Sequence, residues 1–348
     1  MRLTLGLGSG LARRPGDPAG RVWGLGDRGP NLKVPVAIDR YGLEGLAPLA
    51  GLPGAKILPM PDFQPALAEL QVHDERVELL RVLPLRTADG PMSGRALPGS
   101  AEAAMEPTFD LSGRPLAPDV RGVDTEGLAA LSDGGFWAGE EYGPSLLKVD
   151  ASGVVRRRLV PAGLKFAGAE PVLPPEASRR RLNRGFEGLA LSPDERRLYV
   201  AFQSAPEGSD PAATLIWTLD AETGRRLAEH LYPFDPPESF TADAAAGEAD
   251  QEGLKVCDLA CIADDCLLVL ERVTRSARIC AVRLDRPGSL AKRLVFSTDH
   301  SPGVAQDLEG LAVLSPRELL LATDNDYGVE GAKTALYRLT FSEDLAAL

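Results

Sequence analysis

The tripeptide Glu-Gly-Leu recurs at Glu126, Glu187, Glu252 and Glu309, roughly sixty residues apart, and each copy opens an apolar run. After each run come a polar turn and a second apolar run: Ser-Asp-Gly-Gly after Leu131, Ser-Pro-Asp after Leu191, Ala-Asp-Asp after Ile262 and Ser-Pro-Arg after Leu314. Runs of about six residues joined by such turns are short antiparallel strands. A degenerate copy starts the chain, where Ser9-Gly10-Leu11 precedes Arg21 to Arg28 and Ser9 takes the place of Glu. Further strands follow in several units, for example Ser145 to Val149, Thr214 to Leu219 and Arg278 to Leu284. Four-stranded units repeated around an axis predict an all-β chain, a single closed β-propeller.

Five repeats are visible, and a sixth is expected only if the stretch 88–121 holds strands of its own. One domain is predicted over 1–348, with insertions at about 29–54, 88–121 and 162–184, where Pro, Gly and Arg break the pattern. A further Glu-Gly-Leu at Glu44 runs into proline and reads as loop. The last unit has little room for a fourth strand, so Met1 to Leu5 is predicted to complete it and cover two edges at once.

If inner strands line the axis, strand starts and the ends of the second strands share one channel mouth. That mouth collects Glu126, Glu187, Glu252 and Glu309 with Asp27, Arg28, Glu140, Glu141, Gln203, Glu271, Arg272, Asp324 and Asp326. Carboxylates held by a rigid frame suit a hard cation, so Ca2+ or Mg2+ is predicted, with Glu126, Glu187, Glu252, Glu309, Asp27 and Asp326 as ligands. Arg28 and Arg272 would hold an anionic substrate bidentately, and Glu141 would join them in catalysis. A competing account makes each Glu a lock between neighbouring units.

Net charge is −12, and the basic triplets Arg156–Arg158 and Arg179–Arg181 are isolated, which argues against nucleic acid. No segment approaches a membrane span. Met1 to Leu7 is too short and glycine-broken for a signal peptide, predicting a cytoplasmic protein, or a secreted or periplasmic one if a leader is removed upstream. Cys257, Cys261, Cys266 and Cys280 match no zinc spacing and read as buried free thiols, although Cys261 and Cys266 could face each other across a hairpin. No Gly-x-Ser-x-Gly elbow occurs, and of the three histidines only His300 could reach the mouth, so a serine triad is disfavoured.

Ser9-Gly10-Leu11-Ala12 with Asp27-Arg28-Gly29-Pro30, Asp124 to Leu128 with Phe136 to Pro144, Gly185 to Asp194, and Leu268 to Arg272 together resemble the phytase-like family known as "esterase-like activity of phytase". The resemblance spans nearly the whole chain. It implies a propeller akin in style to calcium-dependent phytases and a phosphoester or carboxylester hydrolase, with Asp27, Arg28, Glu126, Glu140, Glu141, Glu187, Glu271 and Arg272 at the matching positions. The reading is therefore a metal-dependent hydrolase of anionic small-molecule esters. Its rivals are a non-catalytic propeller that binds a ligand or partner at the mouth, and a sugar-lactone hydrolase.

Overall fold

A computed structural model describes residues 1, 3–99, 105–286 and 288–347. The apolar runs form five main sheets. The first contains Gly10–Ala12, Arg21–Leu25, Ala66–Val72 and Val77–Pro84. Thr125–Ala130, Phe136–Glu140, Ser145–Val149, Val155–Pro161 and Glu170–Leu173 make the second. The third has Phe186–Leu191, Arg197–Phe202, Ala213–Asp220 and Arg226–Pro233, extended at its edge by Gly288–Ser289. Lys255–Ala263, Cys266–Arg272, Ala277–Arg283 and Lys292–Ser297 make the fourth, and Leu308–Ser315, Glu318–Thr323 and Leu336–Thr340 the fifth.

The first strand of each sheet lies against the first strand of the next, and Leu308–Ser315 returns to Gly10–Ala12, a propeller-type arrangement. The core is divided accordingly among five seams. Trp23 and Leu67 meet Phe136 and Leu147; Trp137 and Leu146 meet Phe186 and Trp217; Tyr199 and Ile216 meet Val256 and Val269. Leu268 and Ile279 meet Leu311 and Leu321, and Leu314 and Leu320 come back to Val22 and Leu70. Because each sheet offers apolar side chains to both neighbours, its inner strands are buried on two faces and read as runs rather than strict alternation, while outer strands such as Val77–Pro84 are largely exposed.

Pairing registers explain the repeated tripeptide. In four sheets the first strand carries a bulge, between Thr125 and Leu128, Phe186 and Gly188, Val256 and Asp258, and Leu308 and Gly310. A bulge re-aims a side chain, and the residue it frees is Glu126, Glu187, Cys257 or Glu309. The following glycine lies where the inner strands converge. A Cβ on Gly127 would stand 2.2 Å from the Glu187 carbonyl oxygen, and one on Gly10 would stand 2.3 Å from that of Glu126. Gly127→Ala should therefore cost roughly 1–3 kcal/mol or more through forced strand separation, read from urea unfolding; an unchanged midpoint would contradict the close approach.

Two expectations are corrected here. Aligned by its bulge, the fourth repeat reads Val256-Cys257-Asp258-Leu259, so Glu252 lies five residues ahead of the tripeptide position, in the turn Gln251–Gly253 before the strand. Nor does Met1 to Leu5 supply a fourth strand to the last sheet, which has three among the described residues. Thr4 N–H instead donates to the Tyr327 carbonyl (2.9 Å), and Asn325 Nδ2 reaches Thr4 Oγ1 (2.9 Å) and the Leu5 carbonyl (3.2 Å). The Thr4 N–H and the Leu5 carbonyl are thus engaged by the loop after Glu318–Thr323 rather than by a strand edge.

Between Leu25 and Ala66 lie the helix Val34–Tyr41 and the turn Glu44–Leu49, which contains the extra Glu-Gly-Leu. Leu32–Lys33, Lys56–Ile57 and Thr108–Phe109 form a small sheet that joins this insertion to the next one. Apart from Thr108–Phe109 and Gly90–Pro91, the described part of 88–121 holds no strand, and residues 100–104 lie outside the described set. All four cysteines are free, and the hairpin register places Cys261 opposite Leu267 rather than Cys266. Among the described residues no helix is long and apolar enough to cross a membrane.

Candidate functional site: a carboxylate mouth

Hydrogen bonds within and between the sheets hold the mouth together. Arg28 N–H donates to Asp124 Oδ1 (3.1 Å), Thr125 Oγ1 to the Gly26 carbonyl (2.8 Å) and Glu141 N–H to the Asp124 carbonyl (2.9 Å). Gln203 N–H donates to the Gly185 carbonyl (3.0 Å), Val256 N–H to that of Gln203 (2.8 Å) and Asp324 N–H to that of Asp307 (3.2 Å). Side chains at strand starts and ends are thereby held on a rigid rim.

Carboxylate oxygens of Asp27, Asp124 and Glu126 lie within 4.8 Å of one another, and so do those of Asp27, Asp324 and Asp326. Asp27 belongs to both groups. Its Oδ1 accepts from Gly29 N–H at 2.8 Å, and Asp324 Oδ1 accepts from Asn325 N–H (2.6 Å) and Asp326 N–H (3.2 Å). Glu126 has no side-chain hydrogen bond or ion pair among the described residues. Nearby, Glu141 Oε1 and Glu187 Oε2 are buried without a hydrogen-bond partner among the described residues, while the other oxygen of Glu187 accepts from Gln203 Nε2.

Burial, followed by repulsion from neighbouring carboxylates, pushes Asp27, Glu126 and Glu187 well above the usual carboxylate range. Burial followed by Asp124 raises Glu141 to about 8, and burial followed by Glu309 raises Asp324 to about 8. Tyr327, also buried, stacks edge-on to Phe63 at 4.8 Å, and its phenol is pushed up by burial and by Asp27 and Asp324.

The two arginines expected to grip substrate are occupied. Arg28 is buried, ion-paired to Glu106 and Asp124, bonded to Asn183, and set 5.1 Å over the Tyr142 ring. Arg272 binds Asp307 (2.8 Å) and Glu309. Their forks position carboxylates, so neither is free to orient an anion as the sequence had suggested. Glu309 is consequently held below its ordinary range despite burial, by Arg272 and then Lys255. Glu252 is exposed and paired to Arg181, away from the two groups, which removes it from the predicted ligand set.

Strand alternation turns other candidates inward. Glu140 accepts from Tyr142 N–H (2.8 Å) and Gly143 N–H (3.0 Å) and pairs with Arg158; Glu271 is bound by Tyr232 (2.7 Å) and Lys292 (3.0 Å). His300 is exposed on the turn Thr298–His300. Of the predicted ligands the structure brings Glu126 and Asp326 each within 4.8 Å of Asp27, in separate groups, with Glu187 beside Glu126. Sequence reasoning missed Glu106, Asn183, Tyr327, Arg184 and Lys255. The last two carried one usable signal, since Arg184 lies two residues ahead of the inner strand Phe186–Leu191 and Lys255 opens the inner strand Lys255–Ala263.

The mouth is one-sided. Past Asp258 the axis opens into a cavity of about 260 Å3 lined by Ala12, Ala130, Ala190, Ala260 and Ala312 among others.

An inner ring of bulged strands, a carboxylate mouth and two caged arginines define the class to which comparison points. Residues 4–327 match the phytase-like family described as "Esterase-like activity of phytase", and the chain belongs to it. An "Uncharacterized secreted protein" of Arthroderma benhamiae is 30% identical over 220 residues, covering 53% of this chain and 40% of that protein. This chain therefore spans well under half of that relative. Among solved structures, a luciferin-regenerating enzyme is 12% identical with a TM-score of 0.44, covering 98% of this chain and 93% of its own. The calcium-binding protein regucalcin of Agrobacterium tumefaciens is 12% identical with a TM-score of 0.41, covering 99% and 94%.

Proposed function

We propose that the mouth holds a hard divalent cation, calcium or magnesium, and that the protein hydrolyses an ester of an anionic small molecule there. Glu126 carries the reading. It is 9% exposed, has no hydrogen-bond donor among the described residues, and lies with Asp27 and Asp124 inside 4.8 Å. Carboxylates this crowded repel one another, and a bound cation relieves that repulsion. An all-oxygen donor set suits a hard ion.

Asp27, Glu126 and Asp324 would hold the ion, with Asp326 on the solvent side, while Asp124 fixes Arg28. A bound cation would supply a polarised ester oxygen and a more acidic water. Glu141 keeps its proton near neutral pH and can deliver it to the leaving alkoxide. In the balanced step a water oxygen bonds to phosphorus or acyl carbon, the ester bond breaks, the alkoxide takes the Glu141 proton, and Glu141 regains one from the attacking water.

The same reading takes the five sheets as blades of one closed propeller spanning the chain, supported by the succession of inner strands. Similarity to a protein described as secreted supports an extracytoplasmic setting. Turnover of a phosphoester, a carboxylester and a lactone, each with and without chelator, tests the function. Activity should vanish on chelation with the fold intact. Turnover indifferent to chelator would sink the proposal, and calcium binding without turnover of any ester would leave a ligand-binding module.

Metal and protons compete for these oxygens, which sets a pH dependence. Glu141 and Asp324 have folded-state values near 8 against ordinary values of 4.5 and 3.8. The folded protein therefore binds more protons than the unfolded chain between about pH 4 and 8, and stability falls as pH rises through that window. In chelator, Tm should be higher at pH 5 than at pH 8. Millimolar calcium should flatten or reverse that slope, because it binds the deprotonated oxygens.

A further inference from the structure

Arg184 and Lys255 lack a close carboxylate, as does Lys56 on the opposite side of the mouth, whose Nζ is 3.9 Å from Glu106 Oε1. Lys255 Nζ is 3.9 Å from Glu309 Oε1, an oxygen already bound by Arg272, and makes no hydrogen bond among the described residues. The Arg184 side chain makes one hydrogen bond among the described residues, from Nη1 to the Leu254 carbonyl at 3.4 Å. Of the five donors of a guanidinium and the three of an ammonium, nearly all are unused. Both side chains are half-buried. This sets them apart from Arg28 and Arg272, whose forks are closed on carboxylates.

Both flank the same carboxylate. Gly185, next to Arg184, accepts from Gln203 N–H; the Gln203 carbonyl accepts from Val256 N–H, next to Lys255; and the Gln203 side chain binds Glu187. Arg184 and Lys255 thus sit on either side of Glu187 along one backbone path from the third sheet to the fourth. Across the mouth, the first, second and fifth sheets supply Asp27, Glu126, Asp324 and Asp326. The carboxylates of that side crowd one another, whereas Arg184 and Lys255 stand around the single carboxylate of Glu187. Were the two cations only counter-ions for Glu187 and Glu141, contact ion pairs of the kind Arg28 and Arg272 make would be expected, and none is present among the described residues.

We propose that Arg184 and Lys255 form the oxyanion subsite of the mouth, seating the phosphate or carboxylate group of the substrate beside the cation held by Asp27 and Glu126. The inference rests on the metal-dependent reading above and adds the groups that select an anionic substrate. Arg184 supplies a planar fork and Lys255 a point charge, so two neighbouring oxygens of one group can be held at once.

The test uses the full chain loaded with calcium, with inorganic sulfate as tetrahedral dianion and acetate as carboxylate, both followed by calorimetry. Arg184→Gln and Lys255→Gln should each weaken sulfate binding at least tenfold, while calcium affinity stays unchanged or tightens a few-fold as a like charge is removed. Arg184→Lys and Lys255→Arg should recover part of the loss, and Arg181→Gln, at the periphery with Glu252, should change nothing. Sulfate held more tightly than acetate would identify a phosphate group, and the reverse a carboxylate; either order upholds the subsite. Sulfate and acetate affinities that survive both Gln substitutions would overturn it. If wild type binds no calcium, the metal reading fails by itself, and the subsite then stands or falls on whether the same variants lose sulfate in metal-free protein.

Discussion

Asp27→Asn is expected to abolish the rise in Tm produced by calcium and to weaken calcium binding at least a hundredfold, about 2.7 kcal/mol. Asp27 is shared by both close carboxylate groups, so its loss leaves neither with three ligand oxygens of charge. The variant should also be more stable than wild type in chelator at pH 8. There the Asp27 carboxylate is disfavoured by burial and by Asp324, Asp124 and Asp326, and a neutral amide escapes that repulsion. The two effects have opposite signs, which separates loss of a ligand from general damage. Differential scanning calorimetry with and without calcium reads both, and Glu252→Gln, outside the mouth, should change neither. A variant that keeps its calcium response would remove Asp27 from the site.

Asp258→Gly is expected to destabilise the fold by about 3–5 kcal/mol, even though it restores the glycine found at the matching position of every other inner strand. Asp258 is fully buried on the axis. One oxygen accepts from Leu11 N–H (3.3 Å) and Leu311 N–H (2.7 Å), and the other from Leu259 N–H (2.8 Å). The carboxylate therefore ties inner strands of the first, fourth and fifth sheets together just beneath the mouth. Removing it orphans buried donors at about 1–3 kcal/mol each and opens a void. Asp258→Asn should cost less than glycine, since one oxygen remains, although its amide must face N–H donors. Chemical unfolding decides the matter: a glycine variant within 0.5 kcal/mol of wild type would mean that the axis needs no acceptor.

These two residues also mark how far the sequence could be read. Glu126-Gly127-Leu128, Glu187-Gly188-Leu189 and Glu309-Gly310-Leu311 were legible because three demands coincide at each: a bulge that aims a carboxylate, a glycine for strand convergence and a leucine for the seam. Ser9-Gly10-Leu11 keeps two of the three and was still recognisable. In the fourth sheet the glycine became Asp258 to fill the axis and the bulged residue became Cys257, so the pattern vanished and Glu252, five residues early, imitated it. Arg28 misled for a different reason. Its partners Glu106 and Asn183 come from insertions 78 and 155 residues away, where no periodicity announces a contact. The first five residues show the same limit, because an apolar stretch at a chain end does not reveal whether its backbone will pair with a strand edge or, as here, with Tyr327 and Asn325.

The central claim, a hard cation among the mouth carboxylates, is tested most directly by an anomalous difference map from crystals soaked in manganese, an oxygen-seeking stand-in for magnesium and calcium. The account predicts a peak at bonding distance, about 2.0–2.6 Å, from oxygens of Asp27 and Glu126, with Asp324 or Asp326 completing the shell. A map with no peak in the mouth at millimolar metal, or one whose peak lies at Glu271 or Glu252 instead, would contradict it.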